Sequence, residues 1–168
     1  MKITDRIDCL IQSLQEKELL LEKLVLLLDD ERDHIVDLDT VGLELKRESK
    51  LQLIAQLEQC KSVCKKALDD VAGDLKISAA VSLSVVLGVV PPARREILLK
   101  SQRRLFELGD ILNRSNRFNR DLLYGSLSTV NRSLECINKG LGRGISTYSN
   151  AGSVITGVAG SRLVSGEI

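Results

Sequence analysis

Leucines and isoleucines step through the start of the chain by fours and threes. Ile3, Ile7, Leu10, Leu14, Leu21, Leu24, Leu28, Ile35 and Leu38 hold one register, which only Lys17 and Glu31 interrupt. A sustained repeat of about 3.5 residues, with Leu20 and Leu27 in a flanking row, predicts a coiled-coil-like helix face. The helix is expected over about 4–38, with Thr4 or Asp5 able to cap its start. At 1.5 Å per residue it would be about 50 Å long.

Asp39-Thr40 offers a fresh N-cap, and the apolar pattern resumes at Val41, Leu45, Leu51, Ile54, Leu57, Cys64, Leu68, Val71 and Leu75. Its register is looser, with Glu48 and Lys61 near the seam, and a second helix is expected over about 40–72. Residues 73–91 connect it to the next helix. Within them, Ile77 to Val90 is rich in β-branched residues and serine, but a lone strand there has no partner. An ordered loop with a short helix against a bundle end is the expectation. Pro91-Pro92 ends this connecting segment and suits the first turn of a new helix, where a missing N–H costs nothing. Leu98, Leu105, Leu108, Leu112, Leu122, Leu123, Leu127, Val130, Leu134 and Ile137 then carry a third helix over about 92–139, with Gly140 placed as a left-handed cap. Gly109 and Gly125 lie inside it. Each costs about 1 kcal/mol against alanine, which marks them as sites of close packing or bending.

Residues 140–168 differ in kind. They hold seven of the twelve glycines, five serines and only three charges, too little to bury a core, so a flexible Gly/Ser-rich tail is expected. The fold class is therefore all-α: long antiparallel helices in an elongated three-helix coiled-coil-like bundle over 1–139, with the tail beyond it. Charge refines the pairing. Residues 1–39 carry 5 basic and 11 acidic groups, net −6, and residues 92–139 carry 10 basic and 5 acidic, net +5. Laid side by side, the first and third long helices complement each other.

Composition removes several functions. Net charge is +1 and only Phe106, Phe118, Tyr124 and Tyr148 are aromatic, which argues against nucleic-acid binding by field or by stacking. The chain opens without an apolar signal core, and its longest charge-free stretch before the tail, 77–93, falls short of a membrane span. No stable membrane insertion is expected, and Cys9, Cys60, Cys64 and Cys136 lack the spacing of a disulfide scaffold.

His34 is the only histidine. Glu31-x-x-His34 is half of a di-iron bundle motif, and one chain cannot complete it. Cys60 and Cys64, one turn apart, do not fill a zinc shell and read as buried small residues. Gly140-Leu-Gly142-Arg-Gly144 comes after a helix rather than a strand and has no lysine after it, so it reads as a helix stop rather than a phosphate loop. Arg114, Arg117 and Arg120, beside Arg103 and Arg104, form either a phosphate stripe or a solvated or interhelical face; the acidic first helix favours the latter. No serine, cysteine or lysine stands beside a plausible base, so no enzyme and no cofactor is expected.

Three features together resemble the FlgN-like flagellar export chaperones. They are the acidic Leu-rich opening helix with its Asp39-Thr40 break, the run Asn116-x-x-Asn119-x-x-Leu122-Leu123-x-x-Ser126-Leu127-x-x-Val130, and Tyr148-x-x-x-Gly152 after the last helix. The resemblance implies a bacterial cytoplasmic chaperone of type III secretion. Such a chaperone binds the C-terminal helices of hook-filament junction (hook-associated) proteins, prevents their premature assembly and delivers them to the cytosolic domain of the export gate. It further implies cargo contacts at Asn116, Asn119, Leu123, Leu127, Val130 and Leu134, and a gate contact at Tyr148. A self-associating coiled-coil scaffold is the alternative that the heptad face of the first helix supports, and a homodimer stays open.

Overall fold

The computed structural model describes residues 3–76, 82–142, 146–148 and 154–156, with side chains through residue 140. Its elements are α1 (Ile3–Val36), α2 (Thr40–Asp74), α3 (Leu83–Leu87), α4 (Pro92–Gly142), β1 (Ser146–Tyr148) and β2 (Val154–Thr156). Two compact units, Met1–Leu123 and Tyr124–Ile168, divide within α4.

In the first unit, α1 ends two residues earlier than its hydrophobic register does. Leu38 adopts a left-handed conformation, φ 55°, which no helix continues. The Leu38 amide donates to Ile35 O and the Asp39 amide to His34 O, the paired closing bonds of a Schellman turn. Asp39 then becomes the N-cap of α2, as its side chain suggests, and accepts from the Gly42 amide at 3.0 Å. His34 Nδ1 lies 2.9 Å from the other Asp39 carboxylate oxygen. A Cβ on Gly42 would collide with both groups, so the corner requires glycine there. Thr4 and Asp5, expected as caps, lie inside α1, which is already helical at Ile3.

Cross-helix bonds fix the directions. Arg6 reaches Asp74, Cys60 and Cys64 meet Ser13, and Lys50 meets Glu31, so α1 and α2 are antiparallel. Arg94 binds Asp8, Arg104 binds Glu22 and Asn119 binds Leu28 O, so α4 runs in the same direction as α1. The acidic and basic helices do lie together, up-down-up.

The core gathers at one end. Ile7, Leu10, Ile11 and Leu14 of α1 meet Val71 of α2, Val86 and Leu87 of α3, Val90, and Leu98 of α4. The short α3 packs against this bundle end, as the sequence suggests, while residues 77–81 of the connecting segment lie outside the described residues. Pro91 O accepts from the amides of Arg94 and Arg95, so α4 starts at the proline pair.

In the second unit α4 continues past Lys139 to Gly142, so Gly140 is not the stop. Within the Gly/Ser-rich tail, β1 and β2 pair antiparallel, with Ser146 opposite Thr156 and Tyr148 opposite Val154, which no alternating pattern announces. Close packing does not explain Gly109 or Gly125: a Cβ at either meets nothing within 4 Å.

Candidate functional site

The apolar stripe of α4 has two environments. Leu98, Ser101, Leu108 and Asn119 are buried. Leu123, Leu127, Val130, Leu134 and Ile137 are 41%, 52%, 42%, 53% and 56% exposed. Their spacing of four, three, four and three places them on one helix face. Exposed large apolar side chains in such a row mark an interaction surface more often than a core. From Tyr124 to Gly140 no residue of α4 is buried. Thr129 Oγ1 donates to Gly125 O and Ser133 Oγ to Thr129 O, both at 3.0 Å. These hydroxyls are satisfied on their own helix and can enter an apolar contact at little desolvation cost.

Of the six sequence-derived cargo positions, Asn116, Leu123, Leu127, Val130 and Leu134 are exposed. Asn119 is buried instead. Only 3% exposed, it donates to Leu28 O at 2.6 Å and Glu31 Oε2 at 3.1 Å, and it accepts from Arg32 Nε at 3.3 Å. Glu31 is also held by Lys50 at 2.9 Å, and the Arg32 guanidinium sits 5.0 Å from the Phe118 ring centroid. Asn119 is therefore the centre of a polar layer that ties α1, α2 and α4 together. Its place in the stripe could be read from the sequence; its inward partners could not. Tyr148 ends β1, and its side chain and Gly152 lie outside the described residues.

The other candidates resolve as structural features. Glu31 and His34 serve the polar layer and the α2 cap, and no group of three or more metal-ligating side chains occurs among the described residues. Cys60 and Cys64, with sulfurs 4.0 Å apart, both point at Ser13 O. Burial, and then the neighbouring Cys64, push the Cys60 thiol up to about 11, so it stays protonated and behaves as a small core residue. Arg104 binds Glu22 at 2.7 Å and Arg120 lies 3.7 Å from Asp121. That assigns these two members of the arginine series to ion pairs. Asp39 is held below the usual carboxylate range, first by the Gly42 amide and then by His34. No described helix is long and apolar enough to cross a membrane.

The FlgN protein family model matches residues 1–154. No curated protein and no solved structure matches the chain.

Proposed function

The chain belongs to the FlgN family of flagellar export chaperones, and we propose that it acts in the bacterial cytoplasm on hook-filament junction proteins. Binding of hook-associated proteins is the family's general property. The observation that carries the finer reading is the exposed row Leu123, Leu127, Val130 and Leu134 on one face of α4, bordered by Asn116. An amphipathic C-terminal helix of the cargo lies along that row, burying apolar surface that would otherwise drive premature self-assembly. Asn119 takes no part while its bonds to α1 are intact. Tyr148 contacts the cytosolic domain of the export gate, so capture and delivery use different parts of the chain.

Calorimetric titration with synthetic C-terminal helices of junction proteins tests the proposal. Stoichiometric binding with a negative heat-capacity change is the expected result; no heat with any of them would refute it. Leu127→Asp should abolish that heat while helicity is retained, because half of Leu127 already faces solvent. Loss of helicity instead would place Leu127 in the chaperone's own core. Tyr148→Ala should spare cargo binding and lower export; equal loss of both would contradict the division of labour.

A further inference from the structure

The α1 segment Leu19-Leu20-Leu21-Glu22-Lys23-Leu24-Val25-Leu26-Leu27-Leu28 is apolar on every side of the helix. Such a segment has more apolar faces than two neighbouring helices can cover. Leu20 and Leu28 are buried, yet Leu19 and Leu26, seven residues apart on the outward side, are 54% and 65% exposed. Beside Leu19 runs an open groove between α1 and α2. It has a volume of about 400 Å3, and Glu16, Leu19, Lys23, Gln56, Cys60 and Val63 are among the residues that line it. Val63 of α2 is 49% exposed there.

The charges on this groove indicate its occupant. Glu16 and Lys23 flank Leu19, three residues before and four after, and neither forms an ion pair among the described residues. The outward row Gln12, Glu16, Leu19, Lys23 and Leu26 is spaced four, three, four, three, so Gln12 and Leu26 lie seven residues either side of Leu19, while Glu16 lies three before it and Lys23 four after. Two such rows crossing antiparallel about Leu19 set Leu19 against Leu19 and each Leu26 against the stem of Gln12, and bring each Glu16 beside the other Lys23 with an offset of one residue, about 1.5 Å along the axis. One surface thus complements itself under a two-fold axis. We propose that α1 packs on α1 of a second copy across this face, each covering the α1–α2 groove of the other, to form an antiparallel homodimer. The dimer does not depend on what α4 binds.

Sedimentation velocity from micromolar to near-millimolar chain tests this. The unmodified chain should dimerise with rising concentration. Lys23→Glu should weaken association by about tenfold or more, because the two-fold axis makes each substitution act twice and sets like charges together. Glu16→Lys combined with Lys23→Glu should restore it. Both residues are exposed, and circular dichroism should show the fold unchanged. A chain monomeric at every concentration would overturn the proposal. So would a double exchange that stays as weak as Lys23→Glu alone, or a dimer that Leu127→Asp dissociates and Lys23→Glu does not. Lys23→Glu should leave the heat of cargo-helix titration unchanged, which separates this dimer from the role of α4.

Discussion

The first unit is held together differently at its two ends. Where α3 docks, nine buried apolar residues from the helices and a loop close on one another. Around Asn119, α1, α2 and α4 are joined by hydrogen bonds and ion pairs among Asn119, Glu31, Arg32 and Lys50. The apolar end derives its strength from excluded water and close packing, which tolerate no lost volume. The polar end derives its strength from complete pairing, so the penalty there falls on any partner left unsatisfied. Bulk therefore specifies the first end, and hydrogen-bond geometry specifies the second.

Substitutions at each end test that contrast. Leu98→Ala, at a fully buried position of the apolar end, should destabilise by about 2–5 kcal/mol in urea unfolding. Asn119→Ala should cost less, about 1–3 kcal/mol, since it leaves Glu31 and Arg32 short of a partner rather than opening a large cavity. Equal costs would mean that the Asn119 layer is packed as tightly as the α3 end. The smallest effect is expected from acid. Asp39 has a lowered pKa in the folded chain, so its contribution is present above its unfolded value, about 4, and fades as pH falls through the lower folded value. A thermal melt series should show that loss in the native chain and less of it in Asp39→Asn.

Much of this was legible in the sequence, because long helices advertise their buried faces by period. The α1 and α2 repeats, the Asp39 cap, the proline start of α4 and the pairing of acidic with basic helices are all readable from spacing and charge. Leu38 marks a limit. Leucine has no preference for a left-handed backbone, so the apolar register ran on through it. Asn119 shows a second limit: a helix period identifies a face, but not which part of it another helix covers. The pairing of β1 with β2 is a third, since three-residue strands are too short to show alternation.

The corner at Leu38 and Asp39 has a consequence for how the molecule comes into being. One residue closes α1 and the next opens α2, so the two helices meet with almost no slack between them. Every bond that joins them, out to Arg6 and Asp74, lies within the first 74 residues. A nascent chain leaves the ribosome from its amino end, and contacts close in sequence form fastest. The α1–α2 hairpin can therefore fold before α4 has been synthesised. For that interval Ile7, Leu10 and Val71 wait for Val86 and Leu98 to cover them, and the chaperone is itself a chain with an exposed apolar face.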